Sequence, residues 1–263
     1  MNSSNEVIHF HGTPIWGNKG EVVTHVVSGG GAFVSYARPD QIKLCLKYAK
    51  SVWADNGAFS AWKRGLKIDW TKFYQWLGVY YFHENFSFFI IPDAIDGSEE
   101  DNNILINSVP SMFKDKAVPV WHLHESLEKL DWLCREFDRI AFGSSGDYAT
   151  IRTKAWHKRM HEAFNFIHDK GHEVKVHGLR MLDGRVLGNY PLTTADSTNL
   201  ACNIPKYKVK YPRMGGHILD RVPFTQYDKH ELLLYRGASL KGAVESVFPP
   251  SLEQWRKFKL EAV

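Results

Sequence analysis

Eight short apolar runs, most of them separated by amphipathic stretches, constrain this chain more than any other feature. They cover residues 7–11, 32–36, 51–54, 88–92, 118–122, 140–142, 174–177 and 192–195. Apolar runs of this length between amphipathic segments are the pattern of repeated strand–helix units: a parallel strand is buried on both faces, and the helix covering it keeps one polar face. Helical spacing begins at Pro39, a first-turn position where a missing N–H costs nothing, and continues through Leu44 and Tyr48. Residues 69–81 place Trp70, Phe73, Trp76 and Leu77 on one face. Further helices are expected over 99–113, over 126–137 with Ser126 as N-cap, and over 151–170 with Gly171 ending the last. The expected fold is α/β, a single (β/α)8 TIM-like barrel over residues 1–263, with a doubly wound open sheet as the alternative.

The length suits one such barrel, and a hydrophobic fraction of 44% supplies its core. The net charge of +4 is compatible with a polyanionic partner without requiring one. No run reaches the roughly 18 apolar residues of a membrane span, and residues 1–6 lack the basic and apolar stretches of a signal peptide. Cys45, Cys134 and Cys202 form neither a disulfide framework nor a metal-binding pair. A cytoplasmic protein without membrane contact is expected. Trp16, Trp53, Trp62 and Trp121 adjoin polar motifs and read equally as core or as stacking surfaces. Residues 203–223, with Pro205, Pro212, Pro223 and the Gly215-Gly216 pair, read as a long loop. Its Lys206, Lys208, Lys210, Arg213 and Arg221, interleaved with Tyr207 and Tyr211, form the best nucleic-acid contact in the chain, a solvated loop being the alternative.

The ends of the runs carry the functional information, because a barrel places its chemistry at the C-terminal ends of its strands. They read His9-Phe10-His11, Tyr36 with Arg38, Asp55-Asn56-Gly57, Asp93, His122 with His124, Gly143-Ser144-Ser145-Gly146, His177-Gly178 and Asp196-Ser197-Thr198. A structural barrel has no need for so many polar groups at one rim. Two chemistries fit them. In the first, His9, His11, His122, His177 and Asp196 form the ligand set of a metal-dependent, amidohydrolase-like hydrolase; strand alternation puts His9 and His11 on one face, as chelation requires.

The second rests on a resemblance. Trp53-Ala54-Asp55-Asn56-Gly57-Ala58-Phe59-Ser60 looks like the Asp-Ser-Gly-Gly-Phe-Gln segment of the tRNA-guanine transglycosylase superfamily. Ile90-Ile91-Pro92-Asp93 resembles the strand ending in that family's guanine-binding aspartate. Ala141-Phe142-Gly143-Ser144-Ser145-Gly146 sits where the family has its glycine-rich turn. Val176-His177-Gly178-Leu179 resembles the Met-Gly-Val/Leu strand, and Thr194-Ala195-Asp196-Ser197-Thr198 follows where the nucleophilic aspartate is expected. The likeness runs from about Trp53 to Thr198. Departures are Ala58 for a glycine, Ser60 for a glutamine, His122-Leu123-His124 for a strand ending in glutamine, and no cysteine–histidine cluster for structural zinc. The last departure points to relatives that place 7-deazaguanines into DNA.

The resemblance implies base exchange with Asp196 as nucleophile and Asp55 as general acid/base. Asp93, Gly143, Ser144, His122, His177, Phe59 and Asn56 would surround the base, and Phe59, Trp62 or Trp121 would stack on a flipped nucleotide. Taken singly, Asp55 also reads as a turn residue, Asp93 and Asp196 as capping groups, and the histidines as structural hydrogen-bonders. No cofactor and no metal are implied. The partners expected are a nucleic acid, DNA ahead of tRNA, and guanine or a 7-deazaguanine-type base, with a second copy of the chain or an accessory targeting protein beside them. A non-catalytic nucleic-acid-binding barrel is the third reading.

Overall fold

In the computed structural model, which describes residues 6–15, 20–206 and 228–261, nine parallel strand segments form a nearly closed barrel with helices around it. The segments are β1 (His9–Gly12), β2 (Gly31–Ser35), β3 (Ser51–Asp55), β4 (Phe86–Ile90), β5 (Ala117–Val118), β6 (Val120–His122), β7 (Arg139–Gly143), β8 (Lys175–Gly178) and β9 (Thr194–Ser197). Their order is β5-β4-β3-β2-β1-β9-β8-β7-β6. The two end segments are consecutive in the chain and separated only by Pro119, so they are halves of one strand. Proline has no N–H for the ladder. Its carbonyl still accepts from Ala141 at 2.8 Å, while the Val118 carbonyl accepts from Ile91 at 2.9 Å. The eight-stranded barrel is therefore present, with its fifth strand broken at a proline; the open-sheet alternative is not.

The five expected helices form, with adjusted ends. Ile42–Tyr48 begins three residues after Pro39; Trp70–Tyr80 is capped by the Asp69 carboxylate, and Leu127–Glu136 by Ser126. Lys154–Asp169 starts after a Thr153 cap, and Gly171 follows it at φ +70°. The helix expected to reach residue 113 stops at Asn107, and a 3₁₀ turn over Ser111–Lys116 follows Pro110. Three helices of eight or more residues are not anticipated by spacing, Gly20–Val27, Lys229–Glu245 and Leu252–Glu261, and the first two pack on each other. Among the described residues no helix is long and apolar enough to cross a membrane.

Two apolar layers follow from strand alternation. Ala32, Val34, Val52, Ala54, Phe89, Trp121, Ile140, Phe142, Val176 and Ala195 face outward to the helices. Phe10, Phe33, Trp53, Ile90, Val118, Val120 and Ala141 fill the barrel interior. Each buried aromatic of that plug contributes about 1.5–3 kcal/mol over leaving it in water. Arg139 closes the N-terminal end, its guanidinium 4.8 Å from the Phe88 ring and paired with Glu6, which also holds Lys175 at 2.9 Å. Two residues further along each strand from the plug, toward its C-terminal end, the inward positions become Gly12, Ser35, Asp55, His122, Gly143 and Asp196.

Candidate active site

Those last inward positions line a cavity of about 350 Å³ at the C-terminal mouth of the barrel, within the size range of small-molecule sites. It brings together Asp55, Asn56, Phe59, Asp93, His122, Gly143, Ser144 and Asp196. Asp55 ends β3 beside Ser35 in the β2 register. The turn after it needs glycine: Gly57 has φ +80°, and a Cβ there would lie 2.9 Å from the Ala37 nitrogen. In that conformation the Gly57 N–H donates to Asp55 Oδ2 at 3.2 Å.

Burial pushes the Asp55 carboxyl up to about 6; the nearby charges of Asp196 and Asp93 add to this, against hydrogen bonds from Ser35 and Gly57. By surface area Asp55 is half-buried, its remaining exposure being to the cavity it lines. Low-dielectric surroundings and like charge both disfavour ionisation.

Asp93 is held by donors on both oxygens. Asn56 Nδ2 donates to Oδ1 at 2.7 Å, and His122 Nε2 lies 2.9 Å from Oδ2. The Asn56 amide also donates to the Ile91 carbonyl at 2.7 Å and accepts from Ala58 N–H at 2.8 Å, so its role is to fix Asp93 against the β3 turn. Burial works against a charged His122, yet the carboxylates of Asp93 and Glu125 overcome it and raise the imidazole to about 9. Glu125 is itself buried and accepts the His122 backbone N–H at 2.8 Å. The middle of the barrel mouth is thus a buried imidazolium between two carboxylates.

Asp196 lies in β9 and is 3% exposed. Its Oδ1 accepts the backbone N–H of Arg180 at 2.8 Å. Beneath it, His177 is fully buried and does not line the cavity. The His177 ring stacks on Trp53 at 4.5 Å between centroids and on Phe33 at 5.5 Å. Nδ1 lies 2.8 Å from Thr194 Oγ1, and Nε2 lies 3.4 Å from Asp196 Oδ1. Burial lowers its pKa, with Asp196 opposing and Arg139 adding to the fall. A neutral ring that accepts from Thr194 would point its remaining N–H at Asp196. His177 therefore supports the carboxylate from below.

Gly143 lies beside His122 in the register, and a Cβ there would come within 3.0 Å of Val120 Cγ1, so the glycine keeps the cavity open. Ser144 lines the cavity, but its hydroxyl accepts from Trp156 Nε1 at 3.0 Å. Phe59 presents its ring to the cavity, with the Arg180 guanidinium 3.9 Å from its centroid. Trp62 is 47% exposed and 5.9 Å from Phe59, whereas Trp121 is wholly buried against Phe142 among the helix-facing residues. Trp121 is thus removed from the stacking set.

The histidine-rich ligand set is not assembled. His9 and His11 flank the inward Phe10 and face out of the barrel, where His9 Nε2 meets the Val247 carbonyl at 2.7 Å and His11 Nε2 meets Glu245 at 3.0 Å. Among the described residues no three His, Cys, Asp or Glu side chains are placed to hold a metal ion. Of the basic run, Lys206 reaches Asn203 Oδ1 at 3.4 Å; Lys208, Lys210, Arg213 and Arg221, like Tyr207, Tyr211 and Trp16, lie outside the described residues.

Neither a scan against family models nor a search of curated proteins finds a match to this chain. Its function must therefore be argued from the geometry of the cavity. Three cavity or supporting groups escape sequence reasoning: Ser35, Glu125 and Arg180. The first is legible, because counting two residues on from Phe33 reaches it. Glu125 and Arg180 sit in loops, where no periodicity points inward.

Proposed function

We propose that this protein exchanges a base at the glycosidic carbon of a nucleic acid, replacing guanine with a 7-deazaguanine-type base through a covalent aspartyl–sugar intermediate, DNA being favoured over tRNA. One observation carries the reading: among the described residues three carboxylates line one small cavity, and their surroundings set them apart from one another. Asp196 is oriented by a backbone N–H, Asp93 is locked by two donors, and Asp55 is pushed up toward neutrality.

In the first step an Asp196 oxygen attacks C1′, the glycosidic bond breaks, and its electron pair passes to the departing base. Protonated Asp55 donates a proton to that base, which leaves neutral. An acid with a pKa of about 6 suits this step, because it is protonated often enough near neutral pH and gives up its proton readily. In the second step the nitrogen of the incoming base attacks C1′, displaces Asp196 and returns its proton to Asp55. Two displacements on one carbon retain configuration, the logic of retaining glycosidases with a base in place of water. Asp93 retains free lone pairs for the ring N–H and exocyclic amine of a guanine-like base. A cavity of about 350 Å³ holds one nucleotide unit and no duplex, so a duplex target must be flipped out.

Incubation with labelled guanine and either DNA or tRNA tests the reading. Label should enter one polymer with the native protein and neither with Asp196→Asn, whose fold is checked by circular dichroism. Undiminished exchange by that variant would refute the covalent role, and no incorporation by the native protein into either polymer would refute the activity.

A further inference from the structure

Among the described residues the cavity wall holds two guanidinium groups, those of Arg38 and Arg180. Arg38 is paired with Asp40 at 3.1 Å. Arg180 is exposed, and among the described residues no carboxylate pairs with it; its guanidinium contacts the Phe59 face at 3.9 Å and the Ser144 carbonyl at 3.4 Å. Its backbone is at φ +58°, the left-handed region that glycine adopts most easily. That conformation lets its N–H meet Asp196 Oδ1 at 2.8 Å, so one residue holds the nucleophile by its main chain and projects a cation over the same cavity. The deeper cation, His122, is already neutralised by Asp93 and Glu125. Among the described residues the site therefore has an acidic floor and one uncommitted planar cation at its rim.

We infer that Arg180 grips a phosphodiester flanking the sugar that Asp196 attacks, so that the substrate is a strand and not a free nucleoside. The inference rests on the base-exchange reading. An acidic floor repels a polyanion, and a strand bearing a phosphate on each side of the reacting sugar needs a cation at the rim to approach it. A guanidinium meets a phosphate with two parallel N–H···O bonds, which fixes position as well as charge. Phe59 supports the fork from behind, as aromatic faces support guanidinium groups elsewhere. Because Arg180 is tethered to Asp196 through its own N–H, gripping the phosphate sets the distance between the sugar and the nucleophile.

Binding by the Asp196→Asn protein, which cannot proceed to exchange, tests this. The probes are a guanine-containing DNA hairpin, an RNA hairpin of the same sequence, guanosine 5′-monophosphate and guanosine. Adding Arg180→Gln should weaken binding of the preferred hairpin roughly tenfold, the worth of one charge-assisted contact. It should also reduce the slope of log affinity against log salt by about one, and leave guanosine binding unchanged. Arg180→Lys should keep the slope while recovering only part of the affinity. Loss confined to the monophosphate would overturn the strand in favour of a free nucleotide. Equal losses for hairpin and guanosine, or none for either, would make Arg180 a packing residue and overturn the inference alone. Failure of the Asp196→Asn protein to bind either hairpin at low salt would overturn it together with the function on which it rests. Thermal melting of each variant confirms that folded protein is compared, and Arg180→Gly, which suits φ +58°, serves as a backbone-neutral second deletion.

Discussion

Replacing Asp55 with asparagine should stabilise the protein at neutral pH and do nothing for it in acid. Burial and the charges of Asp196 and Asp93 raise the carboxyl from 3.8 to about 6 in the folded state. The folded protein then holds its proton more tightly than the unfolded chain does. Stability therefore falls as pH rises between those two values, and the full cost of ionising Asp55 in place is present above about pH 6. A shift of about two units at 1.36 kcal/mol per unit sets a ceiling of about 3 kcal/mol. Solvent in the cavity screens part of this, so about 2 kcal/mol is expected. Asparagine keeps an oxygen to accept the Gly57 N–H, and its amide offers a donor to the neighbouring carboxylates. For a chain of this size a gain of 2 kcal/mol corresponds to a rise in Tm of roughly 4–8 °C. Thermal melts of both proteins at half-unit intervals from pH 4 to pH 8 would show the difference growing through pH 5–6 and level above pH 7. A difference that does not change with pH would refute the desolvated carboxylate cluster. The same variant should lose roughly 10²–10⁴-fold in exchange, the range for removing a general acid/base.

The histidine in the cavity carries the opposite sign. His122 is raised to about 9 by Asp93 and Glu125 against the effect of burial, so its contribution is complete below pH 6.5 and is lost as pH rises through about 9. The destabilisation caused by His122→Gln should be about 3 kcal/mol larger at pH 6 than at pH 9.5 in urea titrations, and equal costs at both would refute a charged imidazole. Gly57→Ala forces a side chain into φ +80° against Ala37 and should cost about 1–3 kcal/mol in the same assay. It should also shift the apparent pKa of Asp55 in the pH profile of exchange, because the turn carries the N–H that Asp55 accepts, and an unchanged profile would detach that turn from the acid.

How much of this is legible in the sequence depends on which physical rule governs each residue. The barrel is, because eight buried strands with covering helices leave a periodic trace that no short-range detail erases. Asp55, Asp93, His122 and Asp196 can be found because strand ends can be counted. His9 and His11 show where that counting fails. Alternation says correctly that they share a face, but not which face, and Phe10 is the inward residue of that strand. His177 differs from expectation by depth alone: it points inward, one layer below the cavity, against Trp53 and Phe33. The fifth strand reads as whole across Pro119 because sequence spacing does not register a ladder interrupted at one donor. Arg180 is invisible because it lies in a loop and its N–H meets a carboxylate 16 residues later, a pairing that no local pattern records.

The layer beneath the cavity explains why acids could be gathered above it. Inward positions change from Phe33, Trp53 and His177 to Ser35, Asp55 and Leu179 in a single step of two residues. Below the carboxylates the rings of Phe10, Phe33 and Trp53 lie between them and the N-terminal end, where Arg139 pairs with Glu6. The dry floor raises Asp55 directly, and it strengthens the Asp93–His122 pair by the same reduction in screening. The acids also differ in their local donors: a turn N–H and the Ser35 hydroxyl for Asp55, an amide and an imidazolium for Asp93, a loop N–H for Asp196. A single hydrophobic plug thus supports three carboxylates held by three different sets of donors; strand alternation places Asp55 and Asp196, and the loop after β4 supplies Asp93.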